Sequence, residues 1–410
     1  MDTAPTAAAT PDDLIAAVFS EAGREDPYRF YHQLRRSAPV HLGADGLAYV
    51  STHAGCEAVL RDGRFGAWGG DHIGALRPDW RVHPSYTTLY GGMMTKNPPE
   101  HTRLRRLAMA LFTPARVARM RAGVEELVGR YLDRLEDAGS DGTAVDFMEH
   151  FAFPVPVIVI GDLLGVPEGD HHELRSIVRD WVLVFELRPT PDEVARADRA
   201  ATRLWAYLGD LVEERRAMPR EDLVSAFVRP GQPDMFTAAD LLNMLASLYS
   251  AGFETTTNLF ANGLRALFAH PEQADALRRD PAAVRSATEE LLRFDAPIQM
   301  SFRVALEDVE LDGVALPRGT PVVAMTGAAN HDPSVFDAPE RLDVRRSPNR
   351  QLAFGHGVHH CLGAGLARLE AEVVLPALLG RFPSMAPAGA PTRRPGVALR
   401  GFDEMPVTLI

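Results

Sequence analysis

Residues 237–269 form the longest run of helical periodicity in the chain, and it limits the fold more than any other feature. Thr237 and Asp240 stand at capping-box spacing at its start, and His270-Pro271 ends it. At 1.5 Å per residue the run predicts a helix roughly 50 Å long, enough to cross the whole molecule. A chain of 410 residues has room for two or three domains. A helix of this reach instead organises one, over 13–410, behind a short disordered tail at 1–12.

Further helical patterns occur at 27–36, 54–61, 100–111, 114–138, 145–164, 170–185, 191–217 and 221–228. Residues 39–51 read as a hairpin with Gly and Asp at its turn. After Ser301 the pattern changes to short strands at 303–307 and 321–326, a last helix at 362–379 and a small hairpin in the tail to 410. The class is therefore mainly α with a smaller β portion. Residues 63–97 are rich in Gly, Pro, Trp and Tyr, and a loop of that length in a compact protein is usually functional or disordered. Trp68, Trp80, Tyr86 and Tyr90 favour an ordered loop that faces a substrate.

The net charge of −12 argues against a nucleic-acid partner. Cys56 and Cys361, the two cysteines, give no disulfide framework and fit a reducing cytosol. The N-terminal residues lack the basic start and apolar stretch of a signal peptide. No segment approaches the roughly 18–20 apolar residues of a membrane span. The expectation is a cytoplasmic protein with no membrane partner. Lys96 is the only lysine, and the arginine bias with abundant Ala, Gly and Pro suggests a GC-rich bacterial genome.

The chemistry concentrates at 354–363, FGHGVHHCLG. Cys361 precedes a helix start, where free N–H groups and the positive dipole end favour a thiolate. Gly355, Gly357 and Gly363 let backbone pass close to a flat ligand, and Phe354 can pack on a ring face or shield the sulfur. From the residues alone three readings stand. One is a buried structural cysteine on a Gly-rich turn. A zinc site built on His356, His359, His360 and Cys361 would lack its second ligand pair. A dinucleotide loop would lack GxGxxG after a strand. Cys56, in an amphipathic helix, reads as a small buried hydrophobe.

The longer run 354–368 (FGHGVHHCLGAGLAR) resembles the cysteine-ligand loop of the soluble bacterial cytochrome P-450 superfamily. Four further motifs follow the family's order, so the resemblance covers essentially the whole chain. It implies the single-domain haem-thiolate monooxygenase fold, haem b with its iron on Cys361, and oxygen-atom insertion into a small organic substrate. Glu290-Leu291-Leu292-Arg293 is similar to the family's ExxR, which would join Arg341 of PERLD (339–343) to brace the cysteine loop. In AGFETT (251–256), Gly252 would leave room for dioxygen, Thr255 would hydrogen-bond it, and Glu254 would relay protons. NPPEHTRLR (97–105) resembles the distal anchor segment. His101, Arg105, Arg303 and His359 would hold the haem propionates, with Asn97 in the place of an aspartate helix cap.

The resemblance further implies electrons from NAD(P)H through a separate ferredoxin and ferredoxin reductase, and a monomer. The expected pocket wall comprises the loop at 63–94, the segment 181–187, and Met94, Ser247, Ala251, Ile298, Gln299, Met300, Ser301 and Phe402. Its aromatics and few charges suit a bulky, largely apolar molecule, with tailoring of a polyketide or macrolide secondary metabolite as the expected step. An atypical oxidation such as ring coupling or desaturation is the second reading. A non-catalytic haem sensor is the third, and the intact Glu254 and Thr255 count against it.

Overall fold

The computed structural model describes residues 9–74, 77–109, 112–229 and 236–409. Its longer helices are α1 (Pro11–Val18), α2 (Tyr28–Ser37), α3 (His53–Arg61), α4 (Pro84–Gly91), α5 (Glu100–Met109), α6 (Pro114–Ala138) and α7 (Pro154–Leu164). They continue with α8 (His171–Trp181), α9 (Pro191–Ala217), α10 (Ala238–Ala269), α11 (Pro271–Arg279), α12 (Val284–Phe294) and α13 (Ala364–Arg381). Among the described residues no helix is long and apolar enough to cross a membrane.

Helix α10 is the expected spine. The Thr237 hydroxyl accepts the Asp240 N–H at 3.0 Å, but the Asp240 carboxylate turns to Arg103 at 3.1 Å, so half of the capping box forms. Buried residues lie on every side of α10, as a helix surrounded by others requires. Helices α7, α9, α12 and α13 pack around it and share one large apolar core with it. A second, smaller core lies between α3 and the main sheet. There the Cys56 thiol is buried and donates to the Val50 carbonyl at 3.2 Å, as a small hydrophobe with one weak bond.

The main sheet has the order β1 (Val40–Leu42), β2 (Ala48–Val50), β8 (Pro321–Ala324), β5 (Ser301–Ala305), β3 (Phe65–Ala67). The pair β2–β8 is parallel and the others antiparallel. The register sets Arg303 between Ala67 and Val322. The Arg303 guanidinium donates to the Phe302 carbonyl at 2.8 Å.

Three sequence expectations are corrected, and one element is added. The helix expected over 145–164 is three pieces: β4 (Val145–Asp146), a π-helical turn Met148–Ala152, and α7. Pro154, with no N–H and a ring that blocks the preceding turn, has to begin a helix rather than continue one. The tail is no single hairpin. Strand β11 (Phe402–Glu404) pairs with β10 (Thr392–Arg393), whereas β12 (Pro406–Thr408) joins β4 and β9 (Ala386–Pro387). The disordered tail cannot extend to residue 12, because α1 starts at Pro11 under a Thr10 cap; residues 1–8 lie outside the described residues. An additional hairpin, β6 (Val309–Leu311) with β7 (Val314–Leu316), turns on Asp312-Gly313 with φ of 48° and 79°. Both values suit the primed turn that a DG pair encodes.

His331 shows how tightly the α12 end is closed. Its ring lies 4.1 Å from that of Tyr28, and Nε2 hydrogen-bonds the Phe294 carbonyl at 2.8 Å. Burial, then the nearby Arg293 cation, pushes the imidazole down to about 3. The unfolded chain, with a pKa of about 6.5, therefore takes up this proton first. The contribution is complete above that value and drains as pH falls toward the folded pKa. Between pH 7 and pH 5, wild type is expected to lose about 2 kcal/mol more stability than His331→Gln. Urea unfolding at the two pH values checks this, and equal losses in both proteins would contradict it.

Candidate active site

A cavity of about 460 Å³ opens between α10, the Cys361 loop, β5 and the segments 68–95 and 182–187. Cys361 lies on its wall. The loop is shaped by Gly355 and Gly357, with φ of 65° and 69°. A Cβ at Gly357 would stand 2.4 Å from the Leu60 carbonyl oxygen, so this glycine lets α3 seat against the loop. At Gly355 and Gly363 a Cβ would meet no atom closer than 4.0 Å. The backbone there is open on the cavity side, as a flat ligand needs. The Cys361 N–H donates to the Phe354 carbonyl at 2.8 Å.

Helix α13 begins at Ala364, three residues after the cysteine, and the N–H groups of Gly363 and Ala364 point at the sulfur. Burial raises the Cys361 thiol, while these N–H groups and the cations of Arg105 and Arg368 draw it back down. The helix-start effect expected from sequence is present, but desolvation exceeds it until a cation stands before the sulfur. Arg368, not singled out in the sequence, covers the Phe354 ring at 4.5 Å and pairs with Glu289 at 2.5 Å.

Across the cavity stand His101 and Arg105 from α5, Arg303 from β5, and His359. The two imidazoles lie 4.1 Å apart. Burial, then Arg303, pushes His359 down to about 3; burial, then Arg105, lowers His101 as well. Burial brings Arg303 down to about 10. Among the described residues none of the four meets a carboxylate, and both His101 nitrogens and His359 Nε2 have no partner. Buried donors and cations without an anion are costly, so this cluster fits the carboxylates of an anionic ligand such as haem. Asn97 does not cap α5, contrary to expectation. Its Oδ1 accepts the Ala67 N–H at 2.7 Å and ties the anchor segment to β3.

On α10, Ser247, Ala251, Glu254 and Thr255 face the cavity. The Thr255 hydroxyl donates back to the Ala251 carbonyl at 2.9 Å. Glu254 is buried and pairs with Arg394, and its Oε1 has no partner. No sequence signal links 254 to 394; the tail brings the arginine in. Gly252 has a second neighbour to make room for. It lines the cavity, and a Cβ there would lie 2.4 Å from Ile160 of α7, so the missing side chain also lets two helices close.

The family model for cytochrome P450 matches residues 66–395.

The chain belongs to the cytochrome P450 family.

It is 38% identical to the cytochrome P450 monooxygenase PikC of Streptomyces venezuelae, over 97% of this chain and 95% of that protein. It is 37% identical to the 6-deoxyerythronolide B hydroxylase of Saccharopolyspora erythraea, over 95% and 98%. The crystal structure of P450BioI in complex with an acyl carrier protein ligated to hexadec-9Z-enoic acid is similar at a TM-score of 0.88 and 33% identity, covering 95% of this chain and all of that one. The enzyme is a P450 monooxygenase, and the family implies haem iron held by a thiolate.

In this P450 the expected brace forms with one changed member. Glu290 and Arg293, both fully buried, meet in a two-pronged pair at 2.7 and 2.8 Å. Arg293 also donates to the carbonyls of Asn330, Pro339 and Arg341. The third side chain is Arg346, 3.1 Å from Glu290, and not Arg341, whose side chain is exposed. The PERLD segment gives a backbone acceptor where the sequence suggested a guanidinium.

The substrate side of the P450 cavity is largely as expected. Met94, Ser247, Ala251, Ile298, Met300 and Ser301 line it. Gln299 does not: it is fully buried the other way, donating to the Ala296 carbonyl at 2.8 Å and the Tyr28 hydroxyl at 3.3 Å. Alternation along the chain turns 299 outward when 298 and 300 turn in. Phe402 is also outside, under the Arg393 guanidinium at 4.4 Å; Ala398 and Leu399 reach the cavity instead. The loop at 63–97 folds into β3, α4 and short turns, and residues 75–76 lie outside the described residues. Trp68, Tyr86 and Tyr90 line the cavity, while Trp80 packs behind Tyr90 at 5.5 Å. From the expected segment 181–187, Val182, Val184, Phe185, Glu186 and Leu187 reach the wall, and Trp181 is buried behind it.

Proposed function

We propose that this P450 inserts one atom of dioxygen into a bulky, largely apolar small molecule, by hydroxylation or epoxidation, as a tailoring step on a polyketide- or macrolide-type secondary metabolite. The observation that carries this is one cavity holding a thiol, a cluster of two arginines and two imidazoles, and an acid–alcohol pair under apolar walls. The likeness to a 6-deoxyerythronolide B hydroxylase supports the substrate class. Cys361 would hold the iron, and His101, Arg105, Arg303 and His359 would hold the propionates. Phe354, Gly355 and Gly363 would pack against the haem. Bound haem supplies oxygen activation, which the thiolate's electron donation promotes. Electrons come from NAD(P)H through a separate ferredoxin and ferredoxin reductase to a cytoplasmic monomer.

Glu254 and Thr255 move protons. Glu254 has one carboxylate oxygen on Arg394 and one without a partner, so it can accept a proton at Oε1 while staying anchored. The Thr255 hydroxyl, held by Ala251 in the resting arrangement, presents its lone pairs to the cavity and directs a proton there. Apolar neighbours exclude bulk water from the same space.

With surrogate redox partners, wild type is expected to consume oxygen and NAD(P)H and to form oxygenated product from a macrolide-type library. Thr255→Ala should bind substrate about equally and keep consuming NADPH, with a several-fold fall in product per NADPH and a matching rise in hydrogen peroxide. Unchanged coupling of NADPH to product in the variant would refute the role of Thr255. Absence of any oxygen-dependent turnover in wild type would refute the proposed function.

A further inference from the structure

The charges that face the cavity on the substrate side do not balance. Three carboxyl groups line the cavity: Glu370, nine residues past Cys361 on α13, is fully buried and burial holds it well above the usual carboxylate range, and the other two have partners. Glu254 is paired with Arg394. Glu186 accepts the N–H groups of Val397, Ala398 and Leu399 at 2.9, 2.9 and 3.0 Å. Arg77 is the cation on that side, and its side chain makes no hydrogen bond or ion pair with any described residue. Its guanidinium carbon lies 5.0 Å from the centre of the Tyr86 ring, a cation–π distance that orients the group at modest energy without neutralising it. Tyr86 is itself stacked on Tyr90, with centres 5.9 Å apart and planes 10° from parallel. The buried hydroxyls of Tyr86 and Ser247, both on the cavity wall, also have no partner.

We infer that Arg77 is a specificity-determining residue that receives a carboxylate at one end of the substrate. This rests on the monooxygenase function proposed above and narrows its substrates to bulky apolar molecules bearing an acid group. A planar guanidinium matches a carboxylate through two parallel hydrogen bonds. The single positive charge suits a monoanion; a phosphate dianion would bring an uncompensated charge among apolar walls. The remaining wall, from Leu89, Met93, Val184, Phe185, Leu248 and Leu399, takes the hydrocarbon body. Preorganisation on the stacked tyrosines keeps the ordering cost of the arginine low.

The test uses haem-loaded enzyme titrated with the saturated acids of ten to sixteen carbons and with their methyl esters, read by the haem absorption shift. Wild type is expected to bind at least one acid about tenfold more tightly than its ester, the scale of one charged hydrogen bond. Arg77→Gln should erase that preference by weakening the acid and leaving the ester unchanged, and Arg77→Lys should restore part of it. No acid preference in wild type, or equal weakening of acid and ester in Arg77→Gln, overturns the assignment of Arg77. Each protein's reduced carbon monoxide spectrum is recorded alongside. A normal thiolate band without acid preference sinks the Arg77 inference alone, whereas wild type without that band sinks the haem-thiolate function on which it rests.

Discussion

Cys361→Ala is expected to remove the long-wavelength band that reduced haem-thiolate protein shows with carbon monoxide, and to abolish oxygenation. The cavity wall carries one thiol, and it lies where N–H groups from Gly363 and Ala364 meet Arg105 and Arg368. These groups stabilise a negative sulfur. Thioethers elsewhere on the wall, at Met93, Met94, Met244 and Met300, carry no charge and cannot donate in the same way. Haem that still enters the variant through the cationic cluster would show the spectrum of a nitrogen- or water-ligated iron. The second cysteine gives no rescue, since Cys56 is buried against Val50 and burial pushes its thiol up. A variant with an undiminished thiolate band would rule out Cys361 as the ligand.

The second large effect is on folding. Arg293→Ala should cost about 3–5 kcal/mol, because it leaves a fully buried carboxylate short of its partner. It also strips a donor from three backbone carbonyls, at Asn330, Pro339 and Arg341. Against a total stability of roughly 5–15 kcal/mol, that loss predicts little folded, haem-loaded protein at 37 °C. Arg341→Ala makes the contrast. The exposed Arg341 side chain gives up nothing the brace uses, so its replacement should stay within about 0.5 kcal/mol. Holoprotein yield and the urea midpoint of both variants decide the matter. Normal amounts of holoprotein from Arg293→Ala would reduce the pair to an ordinary ion pair, and an equally severe Arg341→Ala would restore the role read from the sequence.

Much of the site is legible in local pattern, since each motif lies within one turn or one helix. The Cys361 loop, the ExxR pair and His101 with Arg105 are each set by spacings of a few residues, and the structure brings them around one cavity or behind it. What fails is the partner chosen across distance. Arg341 and Arg346 are five residues apart, and nothing in the sequence says which guanidinium turns inward; the loop's path past Glu290 decides it. The same holds for Asn97, which has a cap's chemistry but spends its oxygen on Ala67.

By itself the sequence determined the spine and, through its resemblance to a family, the chemistry. The apolar run from 237 to 269 has to be a long buried helix, whereas the residues around Cys361 leave three readings open until the longer run 354–368 is matched to a family. Tertiary structure alone decided which side chains meet. Gly252 serves the α7 packing because Ile160 arrives there. Arg394 meets Glu254 once the tail has folded into separate small sheets, and Arg77 has no counter-ion among the described residues, Glu254 and Glu186 being already held. Local pattern governs what costs energy within a turn. Long-range pairing depends on which buried charge each distant segment can reach, and that appears only once the chain has closed on itself.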